Sequence, residues 1–429
     1  MAKPKLCLIP ASQGSKVFSV LPSDGSGDFD FSRSGSATRI NSQGLIETVS
    51  NGQSRLNYPM IDGKVVGCPS LLLEPQSTNL VTYSENFSDS SWIKSRSTYT
   101  SDAIKSPSGL INMGYLTENT ASGNTHYMRT FLTLTDGIYY TLSVFAKAKE
   151  RNIICLGDNA ASQSNTGVWF DLTNGVILTQ RSGYVGNIKD FGNGIYRCSV
   201  IYSASASRQY ADIALSLSDG VNVYTGDGTS GVYIWGAQVE QQSYPTSYIP
   251  NFGTALGVTR SAETCNNAGD ADTFNDSEGV LMAEISALAD DGTFRQIGLS
   301  GTSGNEVNLS YDSVSNRIGG IVRSSGTYYV LSHIVSDTTS ITKVAIKYKV
   351  NDISLYVNGL EVDSKSTAVM PSSLNSFDFS VGFTKANKFY GKTKQLQYFD
   401  TALTDTDLEE LTSWTSFNEM ATAQLYSVY

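Results

Sequence analysis

Apolar and polar residues alternate along most of this chain, and Gly- and Asn-rich turns break the alternation at short intervals. A period of two puts successive side chains on opposite faces of a strand and cannot build a helix face. The pattern therefore predicts an all-β fold. The stretch "GVYIWGAQVEQQSYPTSYIP", residues 231 to 250, shows it well. Val232, Ile234 and the small Ala237 suit one environment, and Tyr233 and Trp235 another. Pro245 and Pro250 then bar any helix and impose an extended exit.

Further strands follow the same rule between Asn79 and Ile249: "IYYTLSVFAKAKE" (138–150), "GVWFDLTNGVILTQ" (167–180), "GIYRCSVIYSAS" (194–205) and "YADIALSLSD" (210–219). Thr173-Asn174-Gly175, Gly192-Asn193-Gly194 and Gly226-Asp227-Gly228 mark turns between strands. This spacing predicts a two-sheet jelly roll over residues 76–251, with 231–240 as its closing strand. Residues 252–266 read as a linker. Beyond it "GVLMAEISAL", "EVNLSYD", "TKVAIKYKV" and "ISLYVNGLEVDSK" give a second run of strands, with Asn358-Gly359 as a two-residue hairpin turn. One short helix is expected after Thr404, which caps it in a T-x-x-D box with Asp407 while Leu408 and Leu411 face inward. Residues 267–412 thus resemble a laminin-G or concanavalin-A-like sandwich, and 413–429, with Trp414, Phe417, Met420 and Leu425, form a tail. The fold class expected is two successive antiparallel β-sandwiches behind a small turn-rich segment, residues 1–75. That segment is too poor in apolar residues to make its own core and should fold against a neighbouring subunit or domain.

Charge narrows the partners. With 30 Lys and Arg against 40 Asp and Glu, the net charge is −10, so a phosphate backbone is not an expected ligand. No stretch approaches the length of a membrane span, and "MAKPKLCLIPASQGS" is too interrupted for a secretory signal. Synthesis and folding in the cytoplasm are expected. The five cysteines have no C-x-x-C spacing, and buried free thiols are the expected state.

Catalytic motifs are missing from the sequence. His126 and His333 have no Cys, Asp or Glu at ligand spacing, and no nucleophile elbow, Walker loop or H-E-x-x-H occurs. Asp171 and Glu284 are isolated strand carboxylates, although a glycosidase pair separated in sequence would escape this reading. The expectation is a protein that is not an enzyme and needs no cofactor. A structural calcium is the one metal weighed, with Glu74, Glu85 and Glu240 as oxygen ligands on the first and last strands of the jelly roll. For sugars the candidates are aromatic: Trp169, pointing away from the Phe170 and Leu172 core face, then Tyr184 and Tyr224. Packing of Trp169 on a neighbouring strand is the competing reading, and Trp92 and Trp235 read as core.

The stretch "SVLPSDGSGDFDFSRSGSATRINSQGLIETV…RLNYP…CPSLLLEPQSTNLVTYSENFSDSSW" resembles the N-terminal region of virion fibre proteins of phages, notably those infecting Bacteroidota. "FDLTNGVI", "FGNGIYRCSV" and "GDGTSGVYIWGAQVEQQSYPTSYIP" resemble the carbohydrate-binding-like jelly roll that follows in that family. Together these cover residues 16 to 262. The resemblance implies a structural head or tail fibre of a phage particle, homo-oligomeric and usually trimeric. It further implies that residues 1–75 anchor the fibre to other virion proteins while the sandwiches meet host-surface glycans. A secreted glycan-binding module and a capsule-degrading depolymerase are the alternatives.

Overall fold

The computed structural model describes residues 2–159, 166–302, 304–381 and 385–413. The fold is all-β: strands dominate, and the one helix among the described residues is Asp405–Ser413. Every ladder between its strands is antiparallel, as chains joined by short turns require. No described helix is long and apolar enough to cross a membrane.

The first sandwich packs two sheets face to face. One runs in the order Trp92–Ser95, Asn124–Phe131, Tyr210–Ser216, Ile153–Gly157, Val168–Asp171, Val176–Gln180. The other runs Ser97–Lys105, Ile111–Glu118, Gly231–Glu240, Tyr139–Ala148, Ile195–Ser203, Tyr184–Asp190. Leu116, Leu142, Val144, Ile154, Phe170, Val200 and Ile213 fill the space between them. The closing strand Gly231–Glu240 sits mid-sheet between Ile111–Glu118 and Tyr139–Ala148. Its register against Tyr139–Ala148 slips between Ser143 and Phe145, opposite Gly236, whose φ of 65° suits a glycine. That bulge explains the broken alternation: Val232, Ile234, Ala237 and Val239 all face the inter-sheet core. Trp235 turns to the other face, where Phe145 lies 5.2 Å and Tyr248 4.7 Å from its ring. The aromatic tail of residues 243–250 therefore folds back onto its own strand.

The second sandwich is built from both ends of the chain. Its larger sheet runs Leu360–Lys365, Ile353–Val357, Thr342–Lys349, Glu278–Ala287, Gly391–Phe399, Ser70–Leu73, Arg55–Asn57, with Leu6–Leu8 also paired to Gly391–Phe399. Leu6 lies opposite Tyr398, and Leu71 opposite Thr393. Five strands face this sheet: Thr327–Ile334, Arg317–Ser324, Glu306–Tyr311, Arg295–Ser300 and Ser376–Asp378. Leu6, Leu8, Val17, Phe29 and Leu73 are buried in the same core as Leu281, Val307, Ile346 and Phe377. Phe29 packs edge-on against Phe377 and Phe379 at 5.5 and 5.3 Å.

Residues 1–75 thus lack their own core, as expected, but the contacts that order them lie within the chain. They reach the distant C-terminal sandwich, because its sheets expose an unpaired strand side and an open apolar edge. Residues 252–266 are likewise more than a spacer: Val258–Arg260 pairs with Ser77–Asn79, and Thr264–Asn266 with Phe29–Ser32. The helix is as the sequence predicts, with Thr404 Oγ1 receiving the Asp407 N–H at 3.2 Å and Leu408 and Leu411 fully buried. Asn358 and Gly359 both adopt positive φ, 49° and 88°, in the expected hairpin. Trp414, Phe417, Met420 and Leu425 lie outside the described residues.

Candidate functional site

The sequence placed sugar recognition on Trp169, Tyr184 and Tyr224, and the structure corrects this. Alternation assigned the face of Trp169 rightly, since Phe170 and Leu172 are core. The opposite face is covered, however, and Trp169 is only 3% exposed. Its Nε1 donates to Asn222 Oδ1 at 2.8 Å, and the Arg181 guanidinium lies over its ring at 5.2 Å. Tyr184 is buried with its hydroxyl on Asp158 Oδ1 at 2.6 Å. Tyr224 is buried with its hydroxyl on Glu118 Oε2 at 2.6 Å, its ring against His126. Stacking on a sugar needs an open ring face, and none of the three offers one.

The calcium trio does not assemble either. Glu74 accepts Arg55 Nη1 at 2.7 Å, Ser247 N–H at 2.8 Å and Ser247 Oγ at 2.6 Å, with Arg260 Nη1 2.9 Å away. Glu240 accepts Ser77 Oγ, Thr246 Oγ1 and the Gln238 amide at 2.6 to 2.7 Å. Glu85 accepts Tyr248 OH at 3.0 Å and the Asn112 amide at 2.8 Å. Protein donors occupy the oxygens a cation would use, and no group of three acidic, His or Cys side chains suited to a metal occurs among the described residues. Burial raises the Glu85 carboxyl above its ordinary range. At Glu74 burial pushes the same way, but Arg260, Arg55 and the Ser247 bonds outweigh it and bring the carboxyl to about 2.

His126 is buried against the Arg96 carbonyl through Nδ1. Asp171 is held by the Thr173 N–H and the Asn174 amide, and Glu284 accepts from Gln395. These are structural placements.

An open, aromatic-rimmed polar surface lies elsewhere, on the outer face of the five-stranded sheet. Along Glu306–Tyr311, Val307, Leu309 and Tyr311 go to the core, so Glu306, Asn308 and Ser310 face outward. The neighbouring strands repeat this: Ile297 and Leu299 are core, as are Ile318 and Val322, leaving Gln296 and Gly298, and Gly319, Ile321 and Arg323, outward. The result is a groove of about 450 Å³. Its floor carries a chain of amides. Asn387 Nδ2 donates to Gln296 Oε1 at 2.7 Å, and Gln296 Nε2 contacts Asn308 Oδ1 at 3.4 Å. Gly298 allows its strand to lie close against Glu306–Tyr311: a Cβ there would sit 2.2 Å from Val307 O and 2.5 Å from Asn308 Cα. Phe294, Tyr328 and Val330 rim the groove at 46, 55 and 48% exposure, with Arg323 4.6 Å over the Tyr328 ring. Gln296, Ser310, Asn387 and Arg323 line the groove with polar side chains, while Asn308 lies fully buried beneath it. Asp312 is tied to Arg317 at 2.7 Å. It stands six residues from Glu306 along extended chain, about 20 Å away, well beyond the roughly 5 to 10 Å of a glycosidase pair.

Residues 267–409 match the family model described as the concanavalin A-like lectin/glucanases superfamily, of the laminin G type. The C-terminal sandwich is thus similar to concanavalin A-like domains. The match covers about a third of the chain, and the groove lies within the matched residues. Among solved structures, the leech intramolecular trans-sialidase bound to 2,7-anhydro-Neu5Ac is 15% identical, with a TM-score of 0.29. The alignment covers 35% of this chain and 27% of that enzyme. Domains LG4-5 of the mouse laminin alpha1 chain are 10% identical with a TM-score of 0.22, over 66% of this chain and 90% of theirs. No curated protein matches the chain. Sequence reasoning missed the groove because its residues are scattered over five strands. The pattern of Gln296, Asn308 and Ser310 at outward strand positions, with Tyr328 close by, was the available signal.

Proposed function

We propose that this protein is a glycan-adsorbing fibre of a phage particle, with the groove of the concanavalin A-like domain as its sugar-binding surface. One observation carries the binding reading: an open groove that combines exposed Phe294 and Tyr328 with the polar side chains of Gln296, Ser310, Arg323 and Asn387. Sugar rings present apolar faces to aromatics and hydroxyls to amides, and a lectin-type fold supports that use. The wide spacing of Glu306 and Asp312 supports binding without cleavage.

The particle assignment rests on the resemblance of residues 16 to 262 to virion fibre proteins. On this reading the chain is made in the host cytoplasm, assembles as a homotrimer and joins other virion proteins through its N-terminal part. A trimer multiplies weak single-site binding through avidity, by about a hundredfold or more. The test has two arms. Glycan arrays comparing the wild type with Tyr328→Ala should show binding that the variant weakens, and equal binding by both would remove the groove from the reading. Mass spectrometry of purified particles should find this chain, and its absence would end the fibre assignment. Release of reducing sugar from host capsule would replace the binding reading with the depolymerase.

A further inference from the structure

A second cavity lies where the outer face of the jelly roll, residues 37–57 and the edge of the C-terminal sandwich meet. It holds about 160 Å³, below the usual 300 to 1,000 Å³ of small-molecule pockets. It therefore has room for one compact group rather than an oligosaccharide. Its walls are unusual for a chain of net charge −10, because cations converge there: Lys189 from Tyr184–Asp190, Arg197 from Ile195–Ser203 and Lys392 from Gly391–Phe399.

Their counter-charges are already committed. Glu74, the carboxylate in the wall, is bonded to Arg55, Arg260 and Ser247. Neighbouring Glu263 holds Arg33 and Arg55, and Arg39 pairs with Glu47 at 2.6 Å. No carboxylate among the described residues lies within ion-pair distance of Lys189, Lys392 or Arg197. The Arg197 side chain is 8% exposed. Its Nη1 donates to Thr246 O and its Nη2 to Ser143 Oγ, and its Nε has no partner among the described residues. Glu240 and Glu74 favour the Arg197 charge through space, but no carboxylate among the described residues pairs with Lys189 or Lys392, and such clustered cations are costly.

We infer that this inter-sandwich cavity is a binding site for a small oxyanion, held by Lys189, Lys392 and Arg197. The ligand is a sulfate or phosphate, or the carboxylate of an acidic saccharide, since all present the same charged oxygens to lysine and guanidinium donors. The site shares no residue with the groove and stands or falls without it.

The titration of the site follows from the same geometry. Lys189 is exposed to solvent, and the protein around it, then repulsion from Lys392 and Arg197, lowers its pKa to about 8. Burial also lowers Lys392. Tyr244 and Tyr248, on the remaining wall, stay neutral because burial raises their hydroxyls, while Arg39 is ion-paired with Glu47 and Glu74 with Arg55 and Arg260. Anion affinity should therefore fall as pH rises through about 8, where Lys189 gives up its proton.

Isothermal titration of the full chain with sodium sulfate, sodium phosphate and sodium glucuronate, against sodium chloride at equal ionic strength, tests the site. A saturable one-to-one signal with an oxyanion is expected, at least tenfold weaker in Lys189→Ala and in Lys392→Met, and weaker at pH 9 than at pH 7. Tighter glucuronate binding assigns the site to acidic saccharides, and tighter sulfate or phosphate binding assigns it to the free anion. Both variants are checked by circular dichroism, and if either misfolds the wild-type comparison with chloride decides. No saturable heat in the wild type, equal heats with chloride, or unchanged affinity in folded variants would overturn the assignment.

Discussion

Arg55 grips Glu263 with two hydrogen bonds across 208 positions of sequence, Nε reaching Oε1 at 2.8 Å and Nη2 reaching Oε2. Neither side chain has any exposed area. The pair ties residues 1–75 to the segment between the two sandwiches, and Arg33 joins it through Glu263 Oε1 at 2.7 Å. Removing the carboxylate charge leaves buried Arg33 without an ion-pair partner among the described residues and Arg55 with Glu74 alone. Glu263→Gln should therefore cost about 3 to 5 kcal/mol, read as a lower denaturant midpoint with an unchanged slope.

Glu74 sets a pH dependence. Its carboxyl sits at about 2 in the folded protein, against 4.5 ordinarily. A carboxyl depressed by folding stabilises fully above its unfolded pKa, and that stability drains as pH falls through the folded value. The loss runs from just above pH 4 down to about 2 and amounts to something on the order of 3 kcal/mol. Chemical denaturation at pH 7 and pH 3 should capture about 2 kcal/mol of it. The difference should shrink in Glu74→Gln, and an identical pH response in the variant would assign the acid sensitivity elsewhere.

The two aromatic candidates separate by readout. Trp169→Ala should lower stability by about 3 to 5 kcal/mol, as for a large buried side chain, while the folded fraction keeps its sugar binding. Tyr328→Ala should leave the melting temperature nearly unchanged and weaken binding roughly two- to tenfold, the worth of one aromatic contact. The opposite pattern would return the site to the jelly roll.

Chelation should change nothing. Protein donors already occupy Glu74, Glu85 and Glu240, so thermal melts with and without EDTA are expected to superimpose. A drop in midpoint with EDTA, restored by calcium, would show a metal site built from other residues.

Deleting residues 1–69 removes Leu6–Leu8 from its pairing with Gly391–Phe399 and takes Arg33 and Arg55 away from Glu263. The shortened chain should lose the cooperative melt of the C-terminal sandwich and aggregate through its bared sheet edge. A truncated chain that stays monomeric with an unchanged melt would show that the N-terminal strands are dispensable.

The all-β fold, the capped helix and the Asn358-Gly359 hairpin were legible because period, caps and turns are local. The course of residues 1–75 was not. Their poverty in apolar residues showed that they need a partner surface, but nothing local names a surface more than 300 residues away, as between Leu6 and Tyr398. Trp169 marks the same boundary. Alternation gave its face, but its cover comes partly from Asn222, 53 positions on. The groove was invisible for a related reason: Gln296, Asn308 and Asn387 become neighbours only once the strands pair.

The pairing of Leu6–Leu8 with Gly391–Phe399 also has a cost during synthesis. Ribosomes add about 5 to 20 residues per second, so these opening strands emerge roughly 20 to 80 s before their partner exists. Throughout that interval Leu6, Leu8 and the Ser70–Leu73 strand are open to chaperones and to other nascent chains, while the jelly roll between them is free to fold. The C-terminal sandwich, translated after the jelly roll, must thus retrieve strands made before it.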